Sequence, residues 1–341
     1  MPSEIPGRGE ARTPGTAARR PRAAHVIGQN IGLVLAAAIL LLSIIAFIAM
    51  FLIEQHRLPG NFEITSTVDN TMPLALAAIG QTIVVLTRGI DLSVGGVVDL
   101  TNALAAIYLA GSVAHMIVVA ALVLLVGAAA GLINGLLVGL GRLQPIVVTL
   151  ATLSIFQGLA IRVLPQPGGT VPDGVTALLV NTNGPYALLF LVLAALGWMA
   201  LRRSRIGVEI FAIGNDEQAA IAHGVNAVRT KIIAYTIGGA LYAAAGLFLA
   251  ANATSGDATS GNVYTLTSIV ATVLGGVSLF GGRGSAVGAI CGAFITTMIV
   301  NILFYAHINP LYQSFYEGLF LIIAVVLGAA IGGLVRRGRG A

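Results

Sequence analysis

Apolar runs long enough to cross a lipid bilayer follow one another along most of this chain. The first, residues 31–53, holds 23 residues without a charge, and a helix needs about 20 such residues to cross the hydrocarbon core. Only 9% of the 341 residues are charged, whereas a soluble domain carries roughly 25%. Because so few charges cannot cover a water-facing surface, the sequence predicts an all-α, polytopic membrane protein.

Ten transmembrane helices are predicted from these runs. They cover residues 31–53, 71–88, 92–112, 115–139, 146–164, 186–201, 231–252, 262–281, 285–304 and 315–335. Together they form one transmembrane domain, residues 31–335. A disordered basic tail, residues 1–30, is expected before this domain, and a short basic tail, residues 336–341, after it.

The positions of the basic residues predict the orientation in the membrane. If the N-terminus is cytoplasmic, 16 of the 18 Lys and Arg residues lie inside: eight in loops, five in the N-terminal tail and three in the C-terminal tail. Only Arg57 and Arg162 then lie outside, in or beside the external segments 54–70 and 165–185. This bias follows the positive-inside rule, so both termini are predicted to be cytoplasmic.

Several kinds of chemistry are not supported by the sequence. It contains no Gly-x-x-x-x-Gly-Lys-Ser/Thr phosphate loop, so no ATP site is expected in this chain. The five histidines lie far apart, and the single cysteine, Cys291, lies in an apolar run, so neither a metal site nor an intramolecular disulfide is expected. No cofactor is therefore predicted, and the basic charge is assigned to membrane orientation and not to nucleic-acid binding.

The segment Thr87–Gly96, with the sequence TRGIDLSVGG, places two charges and three glycines between two predicted spans. Such a break is stable in a membrane only where it faces protein or water. Polar residues in this segment and in the neighbouring spans are candidates for a substrate pathway. They are Gln81, Asp91, Ser93, Asp99, Asn102, Asn134 and Gln157.

Structural roles for these polar residues remain open. Asn134 and Gln157 are also suited to hydrogen bonds between spans, and Asp91 is also suited to an ion pair with Arg88 at the membrane boundary. For Asp99 the pathway is favoured, because an ionised carboxylate within a span costs about 2.5 to 3.5 kcal/mol on insertion scales.

Residues 202–230 form the longest predicted inner loop, and a short helix is predicted within them at about residues 215–224. Asn215 or Asp216 can cap its start, and Gly224 can end it. Its alanines leave little bulk, so it is suited to a groove on a partner protein. The alternative is an ordinary connection between spans.

Glycines recur every fourth residue at Gly127, Gly131, Gly135 and Gly139. Such a stripe lets a neighbouring helix backbone approach closely. We predict that it packs against another helix of the same chain, and a homodimer face is the alternative.

Four segments of the chain together resemble one known family, the permease subunits of ribose-type ABC sugar importers. They are Gly89–Gly95 (GIDLSVG), Ile213–Val225 with the pattern Ile-Gly-Asn-x-x-x-Ala-Ala-x-x-x-Gly-Val, Leu274–Ser285 (LGGVSLFGGRGS) and Gln144–Leu150 (QPIVVTL). The last departs slightly from the family's usual Pro-Phe-Ile-Val-Thr-Leu. The similarity covers roughly residues 70–335.

The resemblance implies a bacterial inner-membrane permease with the ten-span fold of the vitamin B12-type importers. It implies three partners besides the lipid bilayer: an ABC ATPase subunit that binds ATP and Mg, a periplasmic sugar-binding protein, and a second permease subunit, as in a homodimer. The loop that contacts the ATPase would include Gly214, Asn215, Glu217, Ala219, Ala220 and Gly224. The chain itself would then be a transporter subunit and not an enzyme.

Two other classes of membrane protein compete with this interpretation. An ion-coupled secondary transporter of a small polar solute would need a relay of charges within the membrane, and a channel or structural protein would need no energy source. Dependence of transport on an added ATPase separates the importer from both.

Overall fold

The computed structural model describes residues 31–180 and 184–309, together with six separate positions between residues 312 and 322. Twelve α-helices lie in this part of the chain. They are α1 (Ile31–Gln55), α2 (Asn61–Leu86), α3 (Val94–Tyr108), α4 (Val113–Gly139), α5 (Pro145–Val163), α6 (Asp173–Leu179), α7 (Ala187–Arg203), α8 (Arg205–Asn215), α9 (Glu217–Ala222), α10 (Ala227–Ala253), α11 (Asn262–Leu274) and α12 (Ala286–Tyr305). The all-α prediction is confirmed, and the β-pairing among the described residues is a single bridge between Gly168 and Gly256.

The described part of the chain contains fewer long apolar helices than the ten predicted spans, so the count of ten stays a prediction. Six helices of the described part are long and apolar enough to cross a membrane: α1, α2, α4, α5, α10 and α12. Helices α7 and α8 add a seventh if they are counted as one span, which is bent by 74°. The predicted span 315–335 and the two predicted tails lie outside the continuously described residues.

Two predicted spans, 92–112 and 262–281, prove to be short helices. Helix α3 has 15 residues and α11 has 13, which correspond to only about 22 and 20 Å of helix. Helix α11 ends at Leu274 because the following chain turns through glycines with left-handed backbone angles, among them Gly276 and Gly281. Apolar and small residues continue into the turns that flank both helices, so composition alone does not mark where these helices end.

The predicted external segment 54–70 is largely helical. Helix α2 starts at Asn61 and not at residue 71, so only residues 56–60 separate it from α1. Glu63 stabilises the start of α2, since it pairs with Arg57 and accepts a hydrogen bond from the Gly60 N–H at 2.7 Å. Polar side chains in the first turns of α2 make this part of the helix too hydrophilic to be recognised as a membrane span from its composition.

Helices α2 and α10 form the centre of the bundle. Helix α2 is buried along almost its whole length, whereas α1 is mostly exposed. Helix α4 packs against α10 through the glycine stripe: a Cβ atom on Gly131 would lie 2.1 Å from the Tyr235 carbonyl oxygen, and one on Gly127 would lie 2.4 Å from that of Gly239. The prediction that the stripe packs within the chain is confirmed.

Large apolar side chains point away from the bundle on its outer helices. On α4 they include Leu122 and Leu125, on α5 Val147 and Leu150, and on α7 Leu193, each more than half exposed. A face of this kind is stable against lipid tails and not against water.

The bundle has two distinct ends. At one end, which we call the junction end, the last residues of α2 meet α8 and the loop between α11 and α12, since the Gly282 N–H donates to the Leu86 carbonyl at 3.1 Å. At the opposite end the loop after α5 pairs with the loop after α10, and the Val171 N–H donates to the Thr254 carbonyl at 3.1 Å.

We predict that Gly131→Ala lowers the stability of the bundle, by about 1–3 kcal/mol, because the added methyl group must push the α10 backbone away. The measurement is thermal unfolding of the purified protein in detergent. Gly158→Ala is the matched control, because a Cβ there meets nothing within 4 Å. Equal melting temperatures for both variants would contradict the close approach of α4 and α10.

Candidate functional site

The segment between α2 and α3 carries a buried carboxylate, that of Asp91. Its Oδ1 atom accepts hydrogen bonds from the Ser93 N–H at 2.9 Å and from the Ser93 hydroxyl at 2.6 Å. Helix α3 begins at the next residue, Val94. A helix start carries partial positive charge and unpaired N–H groups, so the Asp91 carboxylate stabilises the start of α3.

A second buried carboxylate, that of Asp99, lies at the start of α11. Its Oδ1 atom accepts a hydrogen bond from the N–H of Gly261, the residue just before α11, at 2.5 Å. Gly95 in the first turn of α3 also faces Gly261 and Asn262 closely. The two short helices therefore start beside each other inside the bundle, and each start has its own carboxylate.

The remaining predicted pathway residues fall into separate groups. Asn134 on α4 joins Asp91 and Ser93, since its side-chain amide donates to the Ser93 hydroxyl at 2.8 Å. Asn102 accepts a hydrogen bond from the Asp257 N–H at 2.8 Å and so belongs near Asp99.

Gln81 is connected to the Asp91 group through Tyr242, which also interacts with the Asp91 carboxylate. The Gln81 side-chain oxygen accepts a hydrogen bond from Tyr242 at 3.3 Å. Gln157 is half-buried on α5, where its backbone faces Gly96. The role of the seven polar residues in a substrate pathway stays a prediction.

Asp257 lies in the loop that leads into α11. Its carboxylate accepts hydrogen bonds from the Thr259 hydroxyl at 2.7 Å and the Thr259 N–H at 2.8 Å. These bonds, chiefly that from the hydroxyl, hold the pKa of Asp257 below its ordinary value, so this acid is charged at neutral pH.

Sequence reasoning missed two tyrosines on α10, Tyr235 and Tyr242. Both are fully buried beside the polar groups: Tyr242 binds Gln81, and the Tyr235 hydroxyl lies 2.5 Å from where a Cβ of Gly89 would be. Their seven-residue spacing places them on one face of α10, and this was the signal available in the sequence.

Several buried polar atoms here have no hydrogen-bond partner among the described residues, and they are Asp91 Oδ2, Asp99 Oδ2, Asn134 Oδ1, Gln81 Nε2, Tyr235 OH and Thr265 Oγ1.

Arg88 does not pair with Asp91, so that alternative is wrong. Its guanidinium reaches the C-terminal end of α8, where Nε donates to the Gly214 carbonyl at 2.9 Å and Nη2 donates to the Asn215 carbonyl. The carbonyls at the end of a helix carry partial negative charge. They, and not the Asp91 carboxylate, are the partners of the positive charge of Arg88.

Three of the sequence motifs meet at this junction. The Asn215 side chain donates to the Gly282 carbonyl at 3.3 Å, and a Cβ on Gly214 would lie 1.9 Å from the Leu86 carbonyl oxygen. The end of α2, the end of α8 and the loop before α12 are therefore in direct backbone contact. Only glycine at position 214 permits this.

The short helix predicted at residues 215–224 is α9, and its caps are as predicted. The Asp216 carboxylate accepts a hydrogen bond from the Ala219 N–H at 3.0 Å, and Gly224 has a left-handed φ of 84°. Glu217 forms an ion pair with Lys231 of α10 at 2.7 Å.

The two alanines of α9 differ in exposure. Ala219 is exposed, whereas Ala220 is buried against Ile213 and Ala227. Ala220 therefore packs inside the chain, and the role of both alanines in an ATPase contact stays a prediction.

Comparison with known proteins identifies the family. Residues 64–328 match the family model described as the permease component of the branched-chain amino acid transport system. This chain belongs to that permease family. Together with the ribose permease relatives described next, this match confirms the resemblance to ABC sugar permeases drawn from the four motifs.

The most similar relatives include several sugar permeases. The chain is 34% identical to the ribose import permease protein RbsC of Escherichia coli K12 over 299 residues, 84% of this permease and 92% of that protein. It is 35% identical over 266 residues to RbsC of Bacillus subtilis, covering 74% and 80% of the two chains. It is 37% identical over 264 residues to the autoinducer 2 import permease LsrC of Enterobacter sp. strain 638, covering 74% and 75%. No solved structure matches this permease.

We predict that Asp99→Leu destabilises the permease by about 1–3 kcal/mol, because it leaves the buried Gly261 N–H without an acceptor. Asp99→Asn is the matched control, since its amide oxygen can still accept that hydrogen bond. Thermal unfolding in detergent measures both. Identical stability of the leucine variant and the wild type would contradict the role of Asp99 at the start of α11.

Proposed function

We propose that this chain is the membrane-spanning permease subunit of an ABC importer that carries a monosaccharide, a ribose-like pentose or a hexose, into the cytoplasm. The observation that carries the proposal is the similarity to ribose import permeases over most of both chains. A separate ATPase subunit binds ATP and Mg and supplies the energy. A periplasmic sugar-binding protein delivers the sugar to the end opposite the junction end.

The chemistry of the polar core agrees with an uncharged substrate. The positive ends of α3 and α11 face carboxylates of the chain itself, Asp91 and Asp99. Half-helix starts that remained free would instead attract an anionic substrate. Hydroxyl and amide groups such as those of Tyr235, Asn134 and Gln81 suit the hydroxyl groups of a sugar.

We place the translocation pathway between two copies of the permease. Within one chain the central polar residues Gln81, Asp91, Asp99 and Asn134 are fully buried, so a sugar reaches them only if helices move. The proposed assembly is a homodimer of ten-span subunits arranged as in the vitamin B12-type importers. In that arrangement the seven long spans of the described part, the short helices α3 and α11, and the span predicted at 315–335 together make ten.

An ion-coupled secondary transporter is the second candidate. A relay would require carboxylates that are free to exchange protons or ions along a path. Asp91 and Asp99 instead bind backbone N–H groups at helix starts, which favours fixed positions for both. Uptake that persists without the ATPase and is abolished by collapse of the ion gradients would establish this alternative in place of the importer.

The junction end is proposed to be cytoplasmic. Basic residues concentrate in the segments that meet there: Arg88, Arg142, Arg202, Arg203, Arg205, Arg229, Lys231 and Arg283. The positive-inside rule assigns such an end to the cytoplasm, and the ATPase docks on this side.

We predict that reporter fusions after residues 142, 205 and 283 give cytoplasmic signals, and that fusions after residues 60, 175 and 257 give periplasmic signals. The reason is the bias of basic residues toward the junction end. The readouts are alkaline phosphatase, active outside, and a fluorescent protein, folded inside. A periplasmic signal at residue 205 would refute both the orientation and the docking of the ATPase on α9.

We further predict that Ala219→Glu prevents the ATPase from binding. Ala219 and Ile221 of α9 are both exposed, Ile221 to 53%. A glutamate there adds bulk and charge at the proposed contact. The expected result is normal abundance in the membrane, loss of ATPase co-purification and loss of ATP-dependent sugar uptake in vesicles.

Two controls make the docking experiment decisive. Ala110→Glu adds the same side chain at an exposed site of the opposite end and should leave ATPase binding intact. Ala220→Glu places the charge inside the chain, so reduced abundance is expected for it. Wild-type uptake and ATPase binding in Ala219→Glu would show that the ATPase docks elsewhere.

A further inference from the structure

We propose that Arg88 transmits the movement of the ATPase-docking helix α9 to the buried segment Gly89–Ser93 and to the start of α3. This inference rests on the proposed function. It makes Arg88 a positioning residue that contacts neither ATP nor sugar.

The first half of the link is the contact between Arg88 and α8. Its guanidinium donates to the carbonyls of Gly214 and Asn215, the last two residues of α8. Bonds from a charged donor are roughly twice as strong as neutral ones. The next residue, Asp216, ends α8 and also caps α9, so no flexible linker lies between these carbonyls and the docking helix.

The second half of the link is the chain that follows Arg88. Arg88 has a left-handed φ of 65°, a conformation that the surrounding structure must enforce in a residue other than glycine. Gly89 then packs so closely on Tyr235 that a Cβ there would lie 2.5 Å from its hydroxyl. Asp91 follows two residues later and binds the start of α3, so a shift of Arg88 displaces that helix start.

The loop before α12 fixes the Arg88 side chain from a third direction. A Cβ on Gly281 would lie 2.6 Å from Arg88 Cγ. The ion pairs of the described residues are Arg57–Glu63, Arg205–Glu209, Lys231–Glu217 and His307–Glu54, so none of them involves Arg88. The charge of Arg88 is therefore held by the α8 carbonyls, and a displacement of α8 acts directly on it.

A second route from α9 into the bundle exists through the Glu217–Lys231 ion pair and α10. The two routes enter the bundle at different points, since Arg88 leads to the segment Gly89–Ser93 and the start of α3, and Lys231 leads to the start of α10. Removing the Arg88 contact should therefore leave α9 attached and able to bind the ATPase, while the start of α3 no longer follows it.

The test uses the complete complex of permease, ATPase and sugar-binding protein reconstituted in vesicles. Arg88→Gln removes the charge and the forked geometry but keeps a long polar side chain. Arg142→Gln is the matched control, because Arg142 is also exposed, also has a left-handed φ of 52°, and lies between α4 and α5 away from the α8 carbonyls. The measurements are ATPase co-purification, ATP hydrolysis and sugar imported per ATP hydrolysed.

For Arg88→Gln we expect normal ATPase binding and ATP hydrolysis, with sugar imported per ATP lowered about fivefold or more, the range of a typical coupling free energy. Arg88→Lys keeps the charge without the fork and should lie between this variant and the wild type. Arg142→Gln should match the wild type.

Two results would overturn the proposal. One is an unchanged import per ATP in Arg88→Gln, and the other is loss of ATPase binding, which would make Arg88 part of the docking surface. If Arg88→Gln fails to insert into the membrane, the sugar imported per ATP is measured for Arg88→Lys instead. A lowered value supports the link, and a wild-type value refutes it. Failure of the wild-type complex itself to import sugar would instead refute the proposed function.

Discussion

Backbone N–H groups inside a bilayer have no water to bind, and this constraint explains the most unusual part of the structure. Helices α3 and α11 both begin within the bundle, where unpaired N–H groups and partial positive charge would be costly. Asp91 and Asp99 resolve this, each at the start of one helix. A buried carboxylate without hydrogen-bond partners would be unfavourable. Here each carboxylate accepts a hydrogen bond at a helix start, so both groups stabilise the pair of helices.

Close packing between helices allows these starts to meet. In lipid there is little hydrophobic drive between helices, so stability comes from backbone approach and interhelical hydrogen bonds. Gly95 lets α3 lie against the residues before α11, and Gly131 lets α4 lie against α10. The same glycine-based contacts recur at the junction end, where Gly214 touches the end of α2.

The junction connects the surface of the bundle with its centre. Helix α8, which leads directly into α9, contacts the end of α2 through Arg88. The chain beyond Arg88 enters the core and reaches Asp91. This arrangement suits a permease driven by a partner protein, because a force on α9 has a short path to the start of α3. It also explains why three separate sequence motifs share one location.

The sequence by itself determined the membrane class, the family and those helices that are continuous apolar runs, such as α1, α4 and α5. It also identified the Asp216 cap, the Gly224 end of α9 and the glycine stripe, because each of these depends on local spacing. Hydropathy failed for the start of α2, which contains polar residues, and for α3 and α11, which glycine turns shorten.

Only the tertiary structure decided what each polar residue contacts. Asp99 binds the N–H of Gly261, 162 positions away along the chain, and Arg88 binds the end of α8 and not the nearby Asp91. Ala219 and Ala220 are neighbours of the same type, yet one is exposed and the other buried. Periodicity reports contacts within one helix, whereas these partners are brought together by the packing of different helices, and no local pattern encodes them.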